Sequence, residues 1–351
     1  MTLRDEILEQ PDALRRQLAY GSGAVDAVAR DVRARGIESI VIAARGTSDH
    51  AAIYAQYVLG VRHQLSVALA APSITSLYGV EPRFERALVI GISQSGASPD
   101  VVGVVAAARR QGAPTLAITN SPGSALGGAA EHVIDLLAGP ELAVAATKTY
   151  TTSLLAIARL SAAMLGEPGA PARSAAEAQI SALPEAIEAA LAVEAAVAAI
   201  AVELGAIDRA VVLGRGYEYA TAREWALKLK ELARVFADPY SAADFRHGPL
   251  ALVERGVPVL AVLPEGPPAP DLMELLGVLR RDLQADVLVL SDSAASRAAG
   301  SRSIALPTGV PDWLRPIVSI VPAQLFAYHL TLAKGLDPEA PRNLSKVTRT
   351  R

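Results

Sequence analysis

The residues best suited to acid–base chemistry share one predicted helix in the second half of the chain. Glu224, Lys228 and Glu231 are four and then three residues apart, so on a helix of 3.6 residues per turn they project from one face. We predict this helix over roughly residues 219–235, followed by a loop that carries His247. Two carboxylates, an ammonium and an imidazole in one short region are what proton transfer on a polar substrate requires.

An ordinary solvent-facing helix offers the alternative interpretation of this spacing. Glu and Lys side chains one turn apart commonly pair on exposed helix surfaces without any chemical role. Helical spacing alone does not separate the two interpretations. Motifs elsewhere in the chain favour the chemical one.

Composition excludes several classes of function. With 351 residues, 51% of them hydrophobic and 20% charged, the chain is long enough for two globular domains. A net charge of -3 does not favour a nucleic-acid or membrane-surface partner. The absence of cysteine excludes disulfides, thiolate nucleophiles and cysteine–zinc sites. The five histidines show no metal-ligand spacing, so we expect no metal and no cofactor.

The chain also lacks the features of an exported or membrane-spanning protein. The first residues, MTLRDEILEQPD, are polar and acidic, unlike a signal peptide. The apolar stretch near residues 190–213 is interrupted by Glu194, Glu203 and Asp208, which argues against a membrane span. We therefore expect a cytoplasmic protein.

Strands and helices alternate along the chain. Short apolar runs at residues 38–44, 87–92 and 115–119 read as buried strands, with a further one near Ile134, and helical segments lie between them. This alternation predicts an α/β fold, in which a doubly wound, mostly parallel sheet is flanked by helices.

The second half of the chain repeats the first. Arg45 and Arg215 follow similar apolar runs at an offset of 170 residues, and Gly96 and Gly266 share that offset. Two tandem α/β domains are therefore predicted. The expected organisation is a helical segment at 1–34, a first domain at 35–165, a linker and helix at 166–190, a second domain at 191–338 and a C-terminal tail at 339–351.

Hydroxyl-rich loops follow the first two strands predicted in the first domain. Residues 93–98 read SQSGAS and lead into a helix, with Ser98 as the expected N-cap and Pro99 as the first helical residue. Ser48 would reach the same sheet edge, where helix N-termini favour anions. Because no Walker or GxGxxG spacing is present, a phosphomonoester fits better than a nucleotide. A polar turn with a capping serine is the structural alternative. The second repeat has Pro264-Glu265-Gly266 in this place, so only the first is expected to bind phosphate.

Six ordered motifs resemble one known family, the sugar isomerase (SIS) family. They are Gly46-Thr-Ser, Ser93-Gln-Ser-Gly-Ala-Ser, Glu141-Leu-Ala-Val-Ala-Ala-Thr-Lys, Glu224-Trp-Ala-Leu-Lys-Leu-Lys-Glu, Arg246-His-Gly-Pro and Pro341-Arg-Asn-Leu-Ser-Lys. Within the family they are similar to the isomerase half of glutamine:fructose-6-phosphate aminotransferase. The resemblance covers nearly the whole chain and implies two tandem SIS domains.

The resemblance implies two binding regions. The substrate would be a hexose or hexosamine 6-phosphate. Its phosphate would be bound by hydroxyl and amide side chains, and the sugar by Thr47 and by the backbone of Val144. The phosphate-binding set is Ser48, Ser93, Gln94, Ser95 and Ser98.

The resemblance also implies catalytic roles. Glu231 would move a proton between C1 and C2, and Lys228 would stabilise the enolate-like transition state, with Glu224 in a lesser role. His247 would open the sugar ring from a neighbouring subunit, which implies a homodimer with shared active sites. Lys346 would contact the open-chain carbonyl, with an imine as one form of that contact.

Without a cysteine or a glutaminase domain in this sequence, we expect no glutamine hydrolysis. The expected reaction is the conversion of glucosamine 6-phosphate to fructose 6-phosphate and ammonia, or its reverse with free ammonia. The alternatives are a fructosyl-amine 6-phosphate deglycase, an N-acetylglucosamine 6-phosphate dehydratase, a hexose-phosphate isomerase and a non-catalytic sugar-phosphate sensor. A sensor is disfavoured because the residues before the first strand contain no basic recognition helix.

Overall fold

The computed structural model describes residues 2–346 and divides them into two compact units. The N-terminal unit comprises Asp12–Glu141 and Lys148–Ala182, together with Ser345 and Lys346. The C-terminal unit comprises Leu142–Thr147 and Leu183–Leu344, together with residues 2–11. Each unit contains one sheet with helices packed against it.

Residues 2–346 form ten strands and sixteen α-helices, which alternate along much of the chain. The strands are β1 Ser39–Ala43, β2 Ser66–Leu69, β3 Ala87–Ile92, β4 Thr115–Thr119, β5 His132–Asp135, β6 Arg209–Gly214, β7 Phe236–Ser241, β8 Pro258–Val262, β9 Asp286–Ser291 and β10 Arg302–Ala305. The helices are α1 Leu3–Leu8, α2 Gln10–Ala19, α3 Gly23–Ala34, α4 Thr47–His63, α5 Ser73–Ser76, α6 Pro99–Arg110, α7 Ala125–Ala129, α8 Lys148–Met164, α9 Pro171–Ser181, α10 Leu183–Leu191, α11 Glu194–Glu203, α12 Glu218–Glu231, α13 Ala242–Arg246, α14 Ala269–Arg281, α15 Ala294–Arg297 and α16 Arg315–Ala333; one 3-10 helix spans Pro249–Leu252.

The N-terminal sheet has the strand order β2-β1-β3-β4-β5, and all its neighbours are parallel. Every residue of β3 and β4 is buried. Strands covered on both faces are almost continuously apolar, which is why the sequence predicted them. The strand expected near Ile134 is β5.

The C-terminal sheet has the order β10-β9-β8-β6-β7 and is also parallel throughout. Its first strand in sequence, β6, lies between β7 and β8, as β1 lies between β2 and β3. The two sheets therefore share one topology. The predicted α/β fold, with two tandem domains that each contain a parallel sheet flanked by helices, is confirmed.

Helix α16 is the main core helix of the C-terminal unit, where it packs against α1, α10, α11 and α12. By length and composition it could cross a membrane, but 78% of its apolar window is buried inside the protein. Soluble proteins place such helices in their cores. Because α16 packs against α12, the helix that carries Glu224, Lys228 and Glu231 has a rigid support.

Candidate functional site

Helix α12 brings the three predicted charged side chains together. The Nζ atom of Lys228 donates a hydrogen bond to Oε2 of Glu231 at 2.6 Å and lies 3.3 Å from Oε1 of Glu224. The side chains of Glu224 and Lys228 are 0% and 1% exposed, and that of Glu231 is 22% exposed. The row of three charged side chains is therefore buried at Glu224 and reaches solvent at Glu231. An ordinary solvent-facing helix surface, the alternative interpretation, would expose all three.

Two opposing effects act on the Lys228 ammonium. Burial alone would lower its pKa, but the charges of Glu224 and Glu231 and their hydrogen bonds outweigh burial, so the pKa of Lys228 is raised. The lysine therefore remains a cation at neutral pH. It can stabilise negative charge on a substrate, but it is not a base.

The helix ends earlier than the sequence predicted. We predicted it to about Val235, whereas α12 ends at Glu231, and Arg234 has φ of 53° in the left-handed region. The chain must reverse there because β7 begins at Phe236 and pairs with β6. Glu231 is therefore the last residue of the helix and lies next to a turn.

The predicted phosphate loops lie at the switch point of the N-terminal sheet. Strands β1 and β3 are neighbours. From β1 the chain continues to β2 on one side, and from β3 it continues to β4 on the other side. Helix α4 begins at Thr47 directly after β1, so Thr47 and Ser48 lie in its first turn. Open α/β sheets bind ligands at such a crevice, where helix N-termini attract anions.

The loop after β3 is held by its own serines. Oγ of Ser93 accepts a hydrogen bond from the N–H of Gly96 at 3.2 Å, and Oγ of Ser95 accepts one from the N–H of Ala97 at 3.3 Å. The backbone oxygen of Gln94 accepts a bond from the N–H of Asn120 at 3.1 Å. Ser93 is buried, whereas Gln94, Ser95 and Ser98 are half-buried. This loop presents hydroxyls on a fixed backbone.

Glycine is required at the turn of this loop. Gly96 has φ of 61°, and a Cβ atom there would lie 1.9 Å from Oγ of Ser124. Any other residue would be strained by its backbone and would collide with Ser124.

Ser98 is the N-cap residue of α6, as the sequence predicted, but its side chain does not cap the helix. Helix α6 begins at Pro99, as expected, but the Ser98 side chain makes no capping hydrogen bond. The carboxylate of Asp100 accepts the bond from the N–H of Val101 at 2.9 Å and also pairs with Nε of Arg45 at 2.8 Å. An acid in the first turn thus satisfies a helix N–H, and Ser98 is not engaged in capping.

The corresponding edge of the C-terminal sheet is acidic. Glu218 begins α12 after β6, and its buried carboxylate accepts hydrogen bonds from Thr221 and, at 2.8 Å, from Ser319. Burial raises the pKa of Glu218 to about 7, against the hydrogen bonds, which lower it. Asp292, after β9, pairs with Arg315 at 3.1 Å. Carboxylates at this edge disfavour an anion, and binding of phosphate by the first repeat alone stays a prediction.

Val144 lies in a loop whose support was not predicted from the sequence. It is half-buried within Leu142–Thr147. Oε1 of the buried Glu6 on α1 accepts hydrogen bonds from the N–H groups of Leu142 and, at 3.2 Å, of Ala143. Glu6 carries no local sequence signal for this contact. Its role could not be deduced, because the contact joins residues 136 positions apart.

His247 lies just after α13, where its backbone N–H bonds to the carbonyl of Asp244 at 3.0 Å. Its side chain is exposed. The preceding Arg246 lies 3.6 Å from both Asp271 and Glu274. The turn is thus anchored while the imidazole faces outward.

Lys346 has a specific partner in the N-terminal unit. Its Nζ atom donates a hydrogen bond to Oε2 of Glu141 at 2.8 Å, and its side chain is 22% exposed whereas that of Glu141 is 0% exposed. A lysine whose ammonium was merely solvated would not have a buried partner. The sequence singled out Glu141 only as the start of a motif.

One group of described side chains is spaced closely enough to bind a metal ion: Asp31, Glu131 and His132. Arg35 pairs with Asp31 at 3.2 Å and with Glu131 at 2.6 Å. A cation already neutralises these carboxylates, so the group is better explained as a surface ion network.

Comparison with known proteins places this geometry in one family. A model of the SIS domain matches residues 35–163 and 203–334. The chain is 37% identical over 349 residues to a glutamine–fructose-6-phosphate aminotransferase (isomerizing) from Methanothermobacter thermautotrophicus, covering 97% of this chain and 56% of the relative. The chain thus spans little more than half of that protein.

Solved structures have the same fold. The C-terminal domain of glucosamine-fructose-6-phosphate aminotransferase from Francisella tularensis matches with a TM-score of 0.86 and 26% identity, covering 96% of this chain and 97% of that one. Glucosamine-6-phosphate deaminase from Thermotoga maritima matches with a TM-score of 0.76 over 100% of both chains. At 21% identity, the second likeness shows the fold alone.

Proposed function

Because the chain belongs to the SIS domain family and is a phosphosugar enzyme of the SIS type, we propose that it is an isomerising deaminase of an aminosugar phosphate. It would convert glucosamine 6-phosphate and water to fructose 6-phosphate and ammonia, or catalyse the reverse reaction. The observation that carries the proposal is the buried Lys228 ammonium paired with Glu231. This pair is suited to removing a proton next to a carbonyl while stabilising the resulting negative charge.

The proposed proton transfer uses Glu231 as the base. Its carboxylate takes the proton from C2 of the open-chain aldose and returns it to C1, while one proton passes from the amino nitrogen to O1, leaving an imine at C2. Water then adds to that imine and releases ammonia and the ketose. Lys228, held as a cation, stabilises the oxyanion that develops at C1, and Glu224 holds Lys228 in place.

The phosphate would be bound by the hydroxyl-rich loops of the N-terminal unit. Ser48, Ser93, Gln94, Ser95 and Ser98 supply donors beside two helix N-termini, and Thr47 and Val144 would contact the sugar. The serine–backbone bonds within the loop support this assignment, because they hold the hydroxyls in place before a ligand binds.

His247 would open the sugar ring of a substrate bound to a second copy of the chain. Its exposed side chain on an anchored turn supports this role. A cytoplasmic homodimer with shared active sites is therefore part of the proposal. Sedimentation coupled to an activity assay tests it, since a fully active monomer would contradict shared sites.

The nitrogen is proposed to leave as free ammonia. None of the 351 residues is a cysteine, so this chain itself contains no thiol nucleophile for glutamine hydrolysis. The same base and carbonyl chemistry would also serve a deglycase or a dehydratase. The substrate assay must therefore include their substrates.

The deciding experiment incubates the purified protein with glucosamine 6-phosphate and measures ammonia and fructose 6-phosphate together. Equal release of both, abolished by Glu231→Gln, is the expected result. Failure to release ammonia would rule out the deaminase. N-acetylglucosamine 6-phosphate and fructosyl-amine 6-phosphates are then the next substrates, and binding without turnover would indicate a sensor.

A further inference from the structure

The buried carboxylate of Glu141 bonds to one residue close in sequence and to one far from it. Thr149 donates to it twice, from its N–H to Oε1 at 3.0 Å and from its hydroxyl to Oε2 at 2.8 Å. Lys346 donates from Nζ to Oε2 at 2.8 Å. The first partner is on α8, eight residues away, and the second is 205 residues away.

The two kinds of partner have different consequences. The bonds from Thr149 are local, so they hold the carboxylate in one orientation whether or not the C-terminal segment is docked. The Glu141 side chain has no exposed surface, and a buried carboxylate attracts an ammonium more strongly than a solvated one does. Its charge therefore favours the bound position of Lys346 over a solvated one.

We propose that Glu141 is a positioning residue. It holds the C-terminal segment, here Ser345 and Lys346, on the N-terminal unit and orients Nζ of Lys346 toward substrate. An ammonium has three hydrogens, so the bond to Glu141 leaves others for a carbonyl oxygen. In this arrangement Lys346 acts as a hydrogen-bond donor to the open-chain carbonyl. That last step rests on the proposed function, whereas the docking does not.

Docking is measured without any substrate by competitive acylation of lysine amines followed by mass spectrometry. The chain has only five lysines, at positions 148, 228, 230, 334 and 346, and Lys230 is exposed. Lys346 should react more slowly than Lys230. Glu141→Gln should raise the Lys346 rate by about tenfold, because it removes a charge-assisted hydrogen bond, and should leave Lys230 unchanged.

The role in catalysis is measured with a double-mutant cycle. Glutamine at position 141 keeps an oxygen for Thr149 but loses the charge that attracts Lys346. We expect Glu141→Gln to lower kcat as Lys346→Ala does, and the double variant to be no worse than Lys346→Ala alone. Glu167→Gln is the matched control, because it removes an exposed partner of Arg33 in the same unit. This control should change neither readout.

A second variant covers the possibility that Glu141→Gln does not fold. Thr149→Val removes the hydroxyl donor and should raise the Lys346 acylation rate by a smaller factor. Unchanged Lys346 reactivity in the folded variants would overturn the docking, and strictly additive losses of kcat would overturn the catalytic role. If the wild-type chain does not turn over glucosamine 6-phosphate, the acylation result still decides docking, so the two proposals fail separately.

Discussion

Lys228 and Glu231 form an asymmetric pair, in which Nζ lies 2.6 Å from Oε2, the lysine side chain is 1% exposed and the glutamate 22%. The cation is enclosed by the protein, whereas the carboxylate reaches solvent at the end of α12. This difference suits the roles proposed for the two residues. The group that must reach the substrate proton is accessible, and the group that must remain charged is held between two acids.

Replacing the base should separate activity from stability. Glu231→Gln retains the shape of the side chain and an acceptor for Lys228, but it cannot take up a proton. We expect kcat for glucosamine 6-phosphate to fall by roughly 10²–10⁴-fold, with the melting temperature almost unchanged because the side chain is partly exposed. Calorimetry and product analysis on the same preparation test this, and wild-type turnover in the variant would remove Glu231 as the base.

Removing the buried cation should cost stability as well as activity. Lys228→Met leaves Glu224 without its ionic partner in a fully buried position. We expect a loss of about 3–5 kcal/mol in the free energy of unfolding, measured by urea denaturation. Adding Glu224→Gln should recover much of this stability but no activity. Recovery of turnover in the double variant would contradict the role of Lys228 as the charge stabiliser.

The hydroxyls of the β3 loop should affect substrate affinity without affecting the fold. Ser95→Ala removes one loop acceptor and one proposed phosphate donor. We expect KM for the sugar phosphate to rise by about tenfold, the effect of losing a hydrogen bond to a charged group. Ser181→Ala removes an exposed hydroxyl that bonds to Ala178, so its KM should equal that of the wild type. A parallel rise in both variants would argue against a phosphate site at Ser95.

Gly96 offers a test of loop geometry with a matched control. Gly96 and Gly112 have positive φ of 61° and 80°, but only at Gly96 would a Cβ atom meet a neighbour, Oγ of Ser124. Gly112→Ala should cost about 1–2 kcal/mol from backbone strain alone and leave KM unchanged. Gly96→Ala should cost more and raise KM, because the loop must shift. Equal effects of the two substitutions would show that the contact with Ser124 is unimportant.

Glu218 should make stability depend on pH near neutrality. Burial raises its pKa to about 7 from 4.5, so the folded protein holds this proton more tightly than the unfolded chain. The resulting stability is present below pH 4.5 and is lost as the pH rises through about 7. Glu218→Gln should remove this slope and stabilise the protein at pH 8 by about 3 kcal/mol. Urea midpoints measured from pH 5 to 8 test it, with Glu167→Gln expected to retain the slope.

The strands that were predicted differ physically from those that were not. The predicted strands β3 and β4 lie inside the N-terminal sheet and are wholly buried, so each is a continuous apolar run. The edge strand β2 alternates between exposed and half-buried residues over only four positions. The edge strands β7 and β10 were not predicted either, and β7 contains Pro239. Edge strands tolerate proline and polarity because one side forms no ladder.

Local spacing determined which residues could act together. The interval between Glu224, Lys228 and Glu231 places them on one helix face, and strand–loop–helix order places Ser48 and Ser93 at one sheet edge. Only the tertiary structure decided that Lys228 is enclosed, that Asp100 rather than Ser98 satisfies the start of α6, and that Lys346 bonds to Glu141. The physical reason is range: helix and strand periods are set by neighbouring residues, whereas burial and charge pairing across 205 residues depend on how the whole chain packs.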